Sequence, residues 1–268
     1  MFWVIDVATI PLILYSIYLI WSGTTSVSAI PILFLLIICY HLVRWHAGST
    51  WGVVVASIFC ITNILVGART PGGIGLGLYL LIEMMLGGRR RWLRIVVIGI
   101  LLGIATVAVW LTYPPLRDTF LGGDSGLTFG SVAINTSGRI YMWQLTLESY
   151  MSSPWLGLGV DAPPEILYAR GQHHPHNDYL RILHHLGATG LLLWLLFYGR
   201  LMNRVWGAWK RLRHTLRESE HAQLFGTTFM AMVAAGLTML TDNTIVYSFV
   251  MYPLALLIGS SIGVLSAK

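Results

Sequence analysis

Between Arg94 and Arg117 the chain holds no charged residue, and Ile, Val, Leu, Gly and Ala fill most of the interval. Such a run leaves few options. Crossing a bilayer as a helix takes about 20 mostly apolar residues, because hydrocarbon offers backbone N–H and C=O groups no partner outside the chain's own ladder. Comparable runs fall near 7–22, 26–43, 51–67, 73–88, 93–113, 187–206, 222–240 and 245–265. Composition agrees: 10% of residues are charged and 56% hydrophobic, where a soluble domain carries about 25% charge. The expected fold class is all-α, a polytopic integral membrane protein of about eight transmembrane helices with a long external loop containing amphipathic helices. Its regions are N-terminal helices at 1–113, a loop at 114–186 and C-terminal helices at 187–268. The N-terminus has no basic n-region and no small-residue cleavage site, so a removed signal peptide is not expected.

The net charge of +6 is read by location. Lys and Arg concentrate in cytoplasmic connections. One cluster is Arg89, Arg90, Arg91 and Arg94; a second is Arg200, Arg204, Lys210, Arg211, Arg213 and Arg217. An even number of spans separates them, so both are expected in the cytoplasm, with Arg44, Lys268 and both termini. The long interval and the connections "ARTPGG" and "LTDNT" then lie outside, in the periplasm of a bacterial inner membrane. The clusters read as topology signals and lipid-headgroup contacts. Interfacial Trp explains "RVWGAWKRLR" better than nucleic-acid binding, so membrane lipids are expected partners and nucleic acid is not. Cys39 and Cys60 sit inside apolar runs and read as small buried hydrophobes.

The interval 114–186 is too long for an idle connection. Within it Ile140, Trp143, Leu147 and Tyr150 recur at helical spacing, which predicts an amphipathic helix at the membrane surface with Ser137 as its cap. "PWLGLGVDAPPE" ends that helix. Then comes "HHPHNDYLRILHHLGATG", residues 173 to 190, crowded with titratable groups. Pro175 is expected to start or orient a helix, with His176 near its N-terminus beside Asn177 and Asp178. From there His176, Leu180 and Leu183 would share one face, and Gly187 and Gly190 would allow close packing as the chain enters the bilayer.

His173, His174 and His176 are the residue type that ligates zinc. No HExxH and no carboxylate at a matching helical spacing accompanies them, so no metal is expected. Acid–base work suits them better, since imidazole takes a proton from a hydroxyl near neutral pH. Arg69, Arg117, Arg139, Arg170 and Arg181 fall on the same side, and Arg makes forked, charge-assisted bonds to phosphate. Together they suggest a phosphate-bearing lipid substrate. The plainer reading is contact with lipid phosphates and helix capping; the tight clustering beside spanning helices weighs toward function.

"HNDYLRILHHLGATG" resembles the signature of the O-antigen ligase and polymerase (Wzy-type C-terminal) family: His176 and Asn177, nine residues from 178 to 186, then Gly187, Ala188, Thr189 and Gly190. "GRIYMWQLTLESYMSSPWLGLGVDA" and "GARTPGGIGLGLYLLIEMMLGGRRRW" resemble the family's other segments, in the expected order. The resemblance implies a membrane-embedded glycosyltransferase of GT-C type. Such an enzyme moves a glycan from an undecaprenyl-diphosphate carrier to an acceptor hydroxyl on a glycan, lipid or protein, with no cofactor and no essential metal. It implies His176 as the base, and Arg69 and Arg139 at the carrier diphosphate; Arg181 is placed with them as a further candidate. Asn177, Gly187 and Gly190 match the remaining motif positions, and His174, Asp178 and His185 are further possibilities. The chain departs from the family where many members carry Glu; that position is His185, beside His184. Fewer spans are counted here than members usually have. Two other classes stay open: a transporter or flippase for a lipid-linked or anionic solute, for which Glu83 would mark an ion path, and a diverged, non-catalytic member.

Overall fold

The computed structural model describes residues 2–22, 29–88, 91–121, 127–129, 132–160 and 175–267. It is predominantly helical: α1 (Phe2–Ser22), α2 (Ala29–His46), α3 (Thr50–Leu65), α4 (Arg69–Leu86), α5 (Arg91–Thr112), α6 (Pro114–Leu121), α7 (Arg139–Tyr150), α8 (Asp178–Leu212), α9 (Glu220–Thr238) and α10 (Ser248–Ser266). A small antiparallel hairpin, β1 (Leu127–Phe129) and β2 (Val132–Ile134), lies between α6 and α7.

Helix α2 is apolar all round, and such a helix is stable only when surrounded. It packs against α3, α4, α9 and α10, with Phe34, Leu35, Ile38 and Leu42 fully buried. The rings of Phe34 and Phe59 meet with centroids 4.7 Å apart. Polar groups inside are paired: Asn63 donates to the Pro31 carbonyl at 3.1 Å, and the Thr228 and Ser261 hydroxyls, 2.9 Å apart, link α9 to α10. Helix α5 sits at the rim, with Val96, Ile100, Ile104, Val107 and Leu111 exposed. In a bilayer that apolar surface meets lipid. Three helical stretches are long and apolar enough to cross a membrane, Trp92–Thr112, Asp178–Thr215 and Ser248–Ser266; Ile5–Leu19, Ile30–His46 and Thr50–Leu65 are apolar but shorter.

Helix direction separates two ends. At one, basic side chains tie helix termini together. Arg94 Nε donates to buried Glu83 at 2.6 Å, and His46 lies 3.4 Å from the same carboxylate. Arg44 donates to Gln223 at 3.2 Å, and Arg213 to the Met85 carbonyl at 3.2 Å. Glu83, considered above as an ion-path residue, is thus an anchor between α4 and α5. Arg89, Arg90 and Lys268 lie outside the described residues. The loop-derived elements and the titratable stretch gather at the other end.

Helix α7 differs from expectation. It buries Met142 and Thr146, while Leu147 is exposed. Its inward face is set by packing on α8, not by the Ile140–Trp143–Leu147–Tyr150 stripe. Nor does Ser137 cap it. Gly138, at φ 73°, is the capping residue without a side-chain bond, because the Ser137 hydroxyl accepts from Arg69 instead.

Candidate active site

His176 does not lie on a helix. It stands just before α8 in the left-handed region, at φ 50°, a conformation that costs a non-glycine residue about 1–3 kcal/mol and persists only where neighbours enforce it. They do so here. On the N-terminal side, Trp143 Nε1 of α7 donates to the Pro175 carbonyl at 2.8 Å. On the C-terminal side, Asn177 is the helix cap, its Oδ1 accepting from Leu180 N–H at 3.0 Å. Asp178, fully buried, donates its N–H to the Met239 carbonyl at 2.8 Å and accepts from Ile245 N–H at 2.9 Å. The shared face of His176, Leu180 and Leu183 therefore does not form: the chain reverses before the first helical turn. What it gains is an imidazole turned toward the connection between α9 and α10.

That connection supplies the partner the sequence reading missed. Asp242 Oδ1 lies 3.6 Å from His176 Nδ1, an ion-pair separation longer than a hydrogen bond. Asn243 Nδ2 is 3.4 Å from the same nitrogen. The Asp242 carboxylate is itself fixed, accepting from Asn243 N–H at 2.8 Å and from the Tyr247 hydroxyl at 3.2 Å. Burial pushes this carboxyl up, but the His176 ring, the Asn243 N–H and the Arg139 charge outweigh burial and hold it below its ordinary value. Asp242 is 6% exposed and His176 39%, so the acid is buried and the ring reaches solvent. The two neighbours of Nδ1 favour opposite tautomers, since the Asn243 amide nitrogen only donates; the charged carboxylate outweighs the neutral amide, which puts the proton on Nδ1 and leaves Nε2 to act as acceptor.

The arginines are placed unequally. Arg139 opens α7 within electrostatic reach of Asp242. Arg69 opens α4, donating to the Asn135 carbonyl and, at 2.6 Å, to the Ser137 hydroxyl; its guanidinium lies 5.7 Å from the Phe120 ring centroid. The next residue, Thr70, accepts from Thr241 at 2.9 Å, joining the start of α4 to the Asp242 connection. Arg181 stands one turn into α8 within reach of the Asp178 charge, with Nη1 buried and without a hydrogen-bond partner. Arg69 is also among the residues lining an apolar groove of about 600 Å³ between α3, α4 and α5, with Cys60, Ile64, Gly72, Leu76, Thr106 and Trp110. His176 and Arg139 are not among its lining residues.

The remaining candidates sort by position. His174 and the neighbouring His173 and Arg170 lie outside the described residues. His184 is buried and bonded to Ser149 Oγ at 3.0 Å, joining α7 to α8; the His185 ring meets it edge-on at 5.6 Å. Gly187 breaks the helical dihedrals of α8, at φ 70° and ψ −174°. A Cβ there would overlap the Trp155 carbonyl, so its close approach is to the "PWLGLG" loop, not to another spanning helix. Gly190 lies one turn on, against Leu186.

Fold and site together define a helical membrane protein that presents a histidine–carboxylate pair with flanking arginines at one end of its bundle. The chain belongs to the O-antigen ligase family: the family model so described matches residues 55–195. That match takes in Arg69, Arg139, His176 and Gly187, while Asp242 falls beyond it. Among similar proteins is an O-antigen ligase of Pseudomonas aeruginosa, 30% identical over 180 residues, which cover 65% of this chain and 38% of that protein. Another is the exopolysaccharide production protein ExoQ of Rhizobium meliloti, 28% identical over 210 residues, covering 70% of this chain and 44% of that one. The chain thus spans less than half the length of either relative.

Proposed function

We propose that the protein transfers a glycan from an undecaprenyl-diphosphate carrier to an acceptor hydroxyl at the periplasmic face of the bacterial inner membrane, as an O-antigen ligase or a polysaccharide polymerase. In this reading about eight helices span the bilayer and both termini are cytoplasmic. The observation that carries it is the enforced left-handed His176 facing Asp242 at 3.6 Å. His176 Nε2 takes the proton of the acceptor hydroxyl as the oxygen attacks the anomeric carbon. The bond from that carbon to the diphosphate breaks, and its electrons leave with the phosphate oxygen. Asp242 stabilises the imidazolium that forms. Arg69, Arg139 and Arg181 are the cations that would neutralise the departing diphosphate, and such contacts accelerate the reaction only as far as they strengthen in the transition state. An apolar groove with Arg69 in its lining suits a ligand with a phosphate head and a hydrocarbon tail.

The pairing of Glu83 with Arg94 and His46 weighs against the transporter reading, in which that carboxylate would mark an ion path. The test is the size profile of surface and carrier-linked glycans after deletion of the gene. Loss of long chains with single repeats still attached indicates polymerase. Full-length glycan accumulating on the carrier indicates ligase. An unchanged profile overturns both.

A further inference from the structure

The break in α8 at Gly187 strips the helix of part of its own ladder, and the loop after α7 repairs it. Leu158 N–H donates to the His184 carbonyl at 2.9 Å and Gly159 N–H to the His185 carbonyl at 3.0 Å; in return Ala188 N–H donates to the Pro154 carbonyl at 2.9 Å. The Thr189 hydroxyl adds a bond to the Trp155 carbonyl at 2.7 Å. Gly157 is as necessary as Gly187, because a Cβ on it would overlap the His185 backbone. The loop is therefore clamped to α8 by its backbone, and its side chains are turned away. Trp155 is 71% exposed, Leu156 77% and Val160 80%, a cost in water of the kind a soluble surface avoids.

What covers them follows from the helix they are clamped to. Thr189, Leu192, Leu193 and Leu196 lie at i, i+3, i+4 and i+7, one face of α8, and the three leucines are exposed. That face belongs to a stretch long and apolar enough to cross a membrane, so lipid meets it. The loop is bonded to Thr189 at the outer end of that same stripe. From Tyr150 to Val160 the loop carries no charged side chain, and Trp is the residue type that settles at a bilayer interface. We infer that residues 154–160 form a membrane wedge: Trp155, Leu156 and Leu158 enter the lipid leaflet on the His176 side of the bilayer, in continuity with the lipid-facing stripe of α8. The clamp then fixes the depth of α8. The break bends α8 back toward α9: Tyr179, before it, bonds the Gly236 carbonyl at 2.9 Å, and Tyr198, after it, bonds the Met232 carbonyl at 2.6 Å, so the wedge fixes the depth of the bent element that carries His176 at the outer end of α9.

The test reads depth and not activity, and so stands or falls apart from the glycosyltransferase reading. Cysteines placed singly at 155, 156 and 158 of the full chain are spin-labelled in phosphatidylethanolamine–phosphatidylglycerol nanodiscs. The native Cys39 and Cys60 are buried and are replaced. Collision rates with oxygen and with a water-soluble nickel chelate are compared with labels at lipid-facing Leu193 and at exposed Ser152. The wedge requires the three loop sites to favour oxygen as Leu193 does. Sites that favour the chelate as Ser152 does, or that are shielded from both reagents, overturn it. Should a labelled variant fail to fold, the emission lost on Trp155→Phe replaces it: that difference spectrum is quenched by lipids brominated near the headgroup if the wedge exists, and unquenched if it does not.

Discussion

Asp242→Asn removes one charge from the His176 site and little else. The amide oxygen still accepts from Asn243 N–H and the Tyr247 hydroxyl, which now bond Asp242 Oδ1 at 2.8 and 3.2 Å. The lost quantity is the attraction between a carboxylate and the imidazolium formed as the acceptor gives up its proton. At the observed 3.6 Å, two unit charges attract by about 1 kcal/mol in water and about 4–5 kcal/mol at an effective dielectric of 20. His176 is 39% exposed, which places the pair between those limits, at about 2 kcal/mol. That corresponds to about a 30-fold slower transfer step. The assay is turnover of a purified lipid-linked glycan donor with excess acceptor in proteoliposomes, beside the thermal unfolding midpoint of the same sample. An unchanged midpoint with a rate tens of fold lower supports the charge argument. A rate within about twofold of wild type refutes it, because a charge that close cannot be silent if the imidazolium forms.

Gly187→Ala is expected to destabilise by at least about 2 kcal/mol, since it adds left-handed strain to an overlap with the Trp155 carbonyl; the melting midpoint and protease cutting at 154–160 report it. Asn177→Ala removes the cap bond to Leu180 N–H and should cost about 1 kcal/mol, read as a lower midpoint of thermal unfolding. The Asp242 carboxyl is held below its ordinary value of 3.8, so its contribution is complete above that value and is lost as pH falls through the lowered one. Wild type should therefore lose thermal stability on acidification more steeply than Asp242→Asn, a comparison of midpoints across the acid range.

The parts of the site that local spacing encodes were legible in the sequence. His176, Asn177 and Gly187 sit at fixed separations along one segment at the start of an apolar run, and the capping bond of Asn177 to Leu180 N–H is what the structure adds. Asp242 was not legible: Asn243, its neighbour, is 67 positions from His176, and a single acid in "LTDNT" has no period or motif to mark it. Only its place on the same side as the motif pointed that way. The left-handed His176 was equally hidden, being imposed by Trp143 and by the α9–α10 connection rather than by its own residue type. Ser137 looked like a cap until the Arg69 guanidinium, far away in sequence, took its hydroxyl. For α7 the apolar spacing suggested one inward face and packing on α8 selected another, Met142 and Thr146. The bundle itself was better marked, because apolar runs of spanning length are local facts.

On this mechanism His176 accepts the acceptor's proton. That step is tested most directly by glycan transfer from a purified undecaprenyl-diphosphate-linked donor, comparing wild type with His176→Ala in the same proteoliposomes while donor retention is measured in parallel. In His176→Ala, product should fall to background with donor retention unchanged. Product at the wild-type level would contradict that role.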